Sequence, residues 1–244
     1  MQRFNGAHWK EYVENQVRSN FEWFGEVVRS RIVVVFDSID QEATDLERRS
    51  YQQLISTVDV GEENFWGAGE AISNLAYAEA SGHHEMLSSM KWATLNLFAA
   101  GLYHLTEQHL VDLPPTILRY HQLAEVQWKP RIPQPDQAIA WFKTELGLDM
   151  RTLTSWSVID ELRFLANAVK HGDGGSATGL RKLQPHLFVP PYLRTQGVTN
   201  EPTRVRTPLF GQAIYVTLED FVKYHEGSIS FWNEIADQFP SLTR

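Results

Sequence analysis

The sequence predicts an all-α fold: a helical bundle around one long buried helix, joined by irregular Pro- and Gly-rich connections. Three observations lead there. Residues 86–111 (MLSSMKWATLNLFAAGLYHLTEQHLV) carry apolar side chains nearly all the way round a helical wheel, as a helix enclosed by others must. Most other segments space their apolar residues three and four apart. Strand signals are confined to two short runs, and no internal repeat or low-complexity tract suggests another architecture.

In chain order, 7–19 and 21–29 carry Trp9, Tyr12, Val13 and Val17, then Phe21, Phe24, Val27 and Val28, at helical spacing. The run 31–37 (RIVVVFD) also suits a buried strand, but flanking helical patterns without a Gly or Pro break favour helix. Residues 41–58 continue with Leu46, Leu54 and Ile55 inward and Glu47, Arg48 and Arg49 outward. Gly61, Gly67 and Gly69 mark a loop, and 70–80 is a short Ala-rich helix that Ser81-Gly82 should stop. Leu113-Pro-Pro is expected to end the long helix 86–111. Pro130, Pro133 and Pro135 define a connection before a helix at 136–146. Thr154 or Ser155 is placed to cap a helix over 156–171, which Gly172 terminates. Residues 172–212 read as an irregular connecting segment, with a helix-stopping, flexible Gly-rich turn at 172–179. Residues 213–216 suit a short strand, and Thr217 to Asp220 resembles a capping box opening a last helix to about 238. Residues 1–244 read as a single helical domain.

Composition narrows the function. The 244 residues are 43% hydrophobic, enough for a sizeable core, and contain no cysteine. Disulfides, thiolate metal sites and a cysteine nucleophile are thereby excluded. No basic-then-apolar leader opens the sequence and no apolar run is long enough to span a bilayer, so a cytoplasmic protein with no membrane partner is expected. The formal charge is −8. It is uneven: 51–113 has Lys91 against eight acids, whereas 163–206 has Arg163, Lys170, Arg181, Lys182, Arg194, Arg204 and Arg206 against Asp173 and Glu201. Such a local basic field suits an anionic ligand on an otherwise acidic molecule.

The helix 156–171 (WSVIDELRFLANAVKH) holds the main candidates. Val158, Ile159, Leu162, Leu165, Ala166 and Val169 share one face, which predicts packing against 86–111. Trp156, Asp160, Arg163, Asn167, Lys170 and His171 share an adjoining arc, with Arg163, Asn167 and His171 on successive turns. A histidine can handle a proton near neutral pH, an arginine can stabilise charge on a phosphate, and an asparagine can orient either. The long helix carries one polar strip, Asn96, Tyr103 and Glu107, within about 40° on the wheel. Glu107 therefore needs a partner, with Arg163, Lys170 or His171 expected from the other helix. His83, His84, His104 and His109 lack metal-ligand spacing, so no metal and no cofactor are expected.

The string Ala166-Asn167-Ala168-Val169-Lys170-His171-Gly172 resembles the signature of HEPN-superfamily helical domains, with Asn167 and His171 at the family's Asn and His positions. Ala166 stands where the family has its arginine, and the nearest arginine is Arg163. Several segments also resemble a group of uncharacterised bacterial proteins. The resemblance implies a member of a bacterial defence or toxin–antitoxin type system with metal-independent RNA cleavage. Catalysis would then use His171, Arg163 and Asn167, and Glu107, Lys170, Arg181 and Lys182 would bind. The family's sites commonly form across a homodimer, with RNA or an antitoxin as partner. The alternative is a non-catalytic helical module that binds a protein or nucleic acid.

Overall fold

The computed structural model describes residues 4–57, 65–121, 134–199, 204–206 and 211–241. Its described residues are helical throughout their regular parts, with no strand among them. The chain opens with α1 (Gly6–Tyr12) and α2 (Ser19–Val27), joined by a π-helical stretch Val13–Arg18 and continued by another, Val28–Ile32, and a 3₁₀ turn Val33–Phe36. Trp9, Val13, Val17, Phe21 and Gly25, strictly four apart, are all buried. On an α-helix that spacing drifts about 40° per step, so a wider turn inserted midway keeps the series facing one way. The 31–37 run is helical as expected. Only Val33 of its three consecutive valines is buried, which a strand enclosed on both faces would not allow.

Next come α3 (Ile39–Thr57) and α4 (Phe65–Tyr120). The sequence predicts two helices and a loop where the chain forms this one helix of 56 residues. Gly67, Gly69 and Gly82 all lie inside it. Gly82 keeps an ordinary negative φ instead of the left-handed cap that would stop a helix. The helix also continues through Pro114 and Pro115, leaving the carbonyls of Leu110 and Val111 without their usual donors. Burial of Leu113, Ile117 and Leu118 beyond the break offsets that loss. Gly61, Pro130 and Pro133 lie outside the described residues.

The second half packs around the middle of α4. It comprises α5 (Pro135–Leu146), α6 (Trp156–His171), α7 (Gly175–Leu183), α8 (Pro191–Arg194) and α9 (Leu218–Gln238). As predicted, α6 packs on α4, with Leu162, Leu165 and Val169 in the core shared with Leu102, Leu110 and Ile159. Thr217 and Asp220 do form a reciprocal capping box at α9. Ser155 sits at the N-cap of α6 without a side-chain bond, and Glu234 of α9 instead accepts from the Thr154 and Ser155 amides at 2.8 and 3.1 Å. Gly172 ends α6 as expected, at φ 74, and a side chain there would also strike the Val205 carbonyl.

Two expectations about 172–216 are corrected. The segment 172–212 carries α7, a 3₁₀ turn Pro185–Phe188 and α8, because Ala177, Leu180, Leu187 and Phe188 are apolar anchors that the core accepts. Residues 213–216 form no strand. Asn96 of α4 donates to the Ile214 carbonyl at 2.9 Å and accepts from the Val216 amide at 3.2 Å, so a buried side chain takes the place of a neighbouring strand. No helix of the described residues is long and apolar enough to cross a membrane.

Candidate functional site

The polar arc of α6 opens into a cleft of about 650 Å³ between α4, the start of α5 and the turn carrying Arg151. The α6 amphipathic pattern determines this placement. Its apolar face is fixed on α4, so the adjoining arc with Trp156, Asp160, Arg163 and Asn167 must look along the seam between the helices. Facing it from α4 are Tyr103 and Glu107, one turn apart. Trp156 forms one edge and reaches back to Phe231 of α9, with ring centroids 6.1 Å apart.

The charges in the cleft are largely paired. Arg163 donates through Nε and one terminal nitrogen to Asp160 at 2.9 and 2.7 Å, and its guanidinium lies 4.3 Å from the Phe164 ring centre. Arg151 bonds Asp136 at 3.2 Å across the α5 N-terminus. Glu107 bonds His104 at 2.8 Å. Tyr103, almost fully buried, stands beside Glu107, and its phenol is raised above the usual range by burial first and the Glu107 carboxylate second. Tyr103 therefore stays protonated beside the Glu107 carboxylate. The expected partner for Glu107 from another helix is replaced by two groups of its own helix. Helical spacing of three and four makes those local partners available without the ordering of a second element.

The predicted triplet is divided. Arg163 and Asn167 line the cleft, both half-buried, while His171 is solvent-exposed and outside it. Eight residues separate Arg163 from His171, about 12 Å along the axis. Arg163 also leans toward the α6 N-terminus to meet Asp160, away from His171. Lys170 and Lys182 are exposed, and Arg181 lies over the Phe188 ring at 4.3 Å; none of the three lines the cleft. Asn96 is buried in the structural clamp on residues 214–216, so the polar strip of α4 serves two different places. Among the described residues no group of three or more His, Cys, Asp or Glu is arranged to hold a metal.

Asp136 and Arg151 enter the site without having been singled out. They lie fifteen residues apart on different elements, and nothing in local periodicity connects them. Asp160 was visible on the arc, and its spacing of three from Arg163 was the available signal for their bond. No family model, no curated protein and no solved structure matches the chain.

Proposed function

We propose that the chain is a HEPN-like, non-catalytic helical module that binds a protein partner through the α4–α5–α6 cleft. The observation that carries this reading is that Asp160 occupies Arg163 while His171 stands outside the cleft. A phosphoryl-transfer site needs its cation and its proton carrier within reach of one phosphate. The cleft holds Glu107, Asp136 and Asp160 against Arg151 and Arg163, which favours a basic peptide segment over a phosphate backbone. A bacterial defence or toxin–antitoxin setting would supply such a partner in the antitoxin or a target protein.

The test is fluorescence anisotropy with a labelled Arg- and Lys-rich peptide and with a labelled single-stranded RNA, at matched salt. The peptide should bind saturably, and Glu107→Gln should weaken it by about tenfold, the scale of one charge-assisted hydrogen bond. RNA binding that exceeds peptide binding would overturn the proposal. A second reading, RNA cleavage across a homodimer, is favoured by one observation. His171 is exposed beside exposed Lys170, its ring without a hydrogen bond among the described residues, as a half-site awaiting its symmetry mate would be.

A further inference from the structure

A second cleft, of about 740 Å³, lies further toward the N-terminal end of α4. One wall is α4 itself. Ser81, His84, Ser88 and Trp92 succeed one another three and four residues apart, so they form a single stripe, with Ser89 and Glu85 beside it. The opposite wall is made by residues 204–206 and 211–215 with Tyr192. Tyr215 meets Trp92 edge to face, with ring centroids 5.1 Å apart.

This second wall is built with care. Val205 is buried and fixes the exposed Arg204 and Arg206 on either side of it. Gly211, at φ 67, lies so close to the α4 backbone that any side chain would collide with the Ser89 carbonyl. Ala213 is the one described non-glycine residue with positive φ, at 68°. An alanine in that conformation is strained, and such strain persists only where surrounding bonds impose it. Here the Asn96 clamp on the Ile214 carbonyl and the Val216 amide imposes it. The 211–216 part of the wall is thus held against α4 before any ligand arrives, which lowers the ordering cost of binding.

The chemistry of the lining selects the occupant. Arg204 and Arg206 offer two guanidiniums, and among the described residues no carboxylate pairs with either. The other ionisable lining groups are Glu85, and His84, which is bonded to Asp40 at 2.9 Å. Trp92, Tyr215 and Tyr192 supply aromatic surface, and the serines supply hydroxyls. Guanidiniums bind carboxylate and phosphate oxygens in pairs, while indole and phenol rings take up a planar apolar body. We propose that this cleft is a binding site for a small ligand joining a planar aromatic ring to an anionic group, either an aryl phosphate or an aryl carboxylate. It is separate from the α4–α5–α6 cleft and does not depend on the reading given to that one.

Isothermal titration calorimetry on the full chain tests this, with phenyl phosphate, benzoate and inorganic phosphate as probes. At least one aryl probe should bind with a dissociation constant below about 1 mM, and inorganic phosphate should bind at least about tenfold more weakly. The stronger of phenyl phosphate and benzoate identifies the anionic group. The double variant Arg204→Gln/Arg206→Gln should weaken aryl binding by at least about tenfold with an unchanged far-ultraviolet circular dichroism spectrum, both side chains being exposed. Arg48→Gln, which removes an equal type of charge from the α3 surface, should leave binding unaltered. The proposal is overturned if neither aryl probe binds saturably, if inorganic phosphate binds as well as phenyl phosphate, or if the double variant binds like the wild type.

Discussion

Single side chains set both the pH response and the candidate chemistry. Asp220 is mostly buried, which alone would raise its carboxyl, yet hydrogen bonds from His186 and Thr217 outweigh burial and hold it at about 2 against an ordinary 3.8. A carboxyl lowered on folding stabilises the fold above its unfolded value and loses that contribution as pH falls toward its folded value. Asp220→Asn should therefore cost about 2 kcal/mol at neutral pH, and the cost should fade between about pH 4 and 2. Urea unfolding at several pH values measures it. His109, His121 and His225 are all lowered, in each case chiefly by burial. His121 must accept from the Trp9 indole N–H at 3.0 Å, a role that protonation at Nε2 abolishes. A histidine lowered on folding favours the fold above its unfolded value, near 6.5. Thermal stability should accordingly fall as pH drops below about 6.5, with proton uptake on unfolding. A melting temperature that rises on acidification from pH 7 to 5 would contradict this. Arg163, Asn167 and His171 were legible as one polar arc because helical periodicity shows shared faces. Which way Arg163 bends along that arc depends on Asp160, and which part of the arc faces a cleft depends on α4 and α5.

At the scale of elements, amphipathic segments were read well and their ends less well. The α6 boundaries, the Thr217 capping box and the packing of α6 on α4 follow from local pattern, because burial of a one-sided face leaves few alternatives. The breaks assigned to Gly82 and to Pro114-Pro115 failed because tertiary burial overrides propensity: Ala76 and Ala80 before the glycine, and Ile117 and Leu118 after the prolines, are buried. If the prolines are tolerated and not required, Pro114→Ala/Pro115→Ala should restore two helical hydrogen bonds. A gain of about 1–3 kcal/mol is expected in chemical denaturation. A loss would show that the prolines shape α4 in a way the packing needs. The 213–216 strand signal was not realised: the segment is held by an asparagine 118 residues away from Ile214, which no local pattern reveals.

The whole molecule combines an acidic sequence, a core running along α4 and two clefts at different places along it. The all-α class and the central position of 86–111 were visible in the sequence, since a helix apolar all round has to be enclosed. The clefts were not, because each joins residues from three or more separated segments. Charge distribution shows the same divide: the basic stretch 163–206 disperses in space, with Arg163 beside Asp160, Arg194 in the Asp220 network and Arg204 and Arg206 in the second cleft. On the proposed reading this arrangement binds a partner and does not cut RNA. The most direct measurement incubates purified wild type, His171→Ala, Arg163→Ala and Asp160→Asn with a mixed-sequence RNA, with and without EDTA, and follows fragment formation. Asp160→Asn is included because it releases Arg163 from its partner. The account predicts no cleavage above the no-protein control by any of the four. RNA fragments produced by the wild type in EDTA and abolished by His171→Ala, with the fold intact, would contradict it.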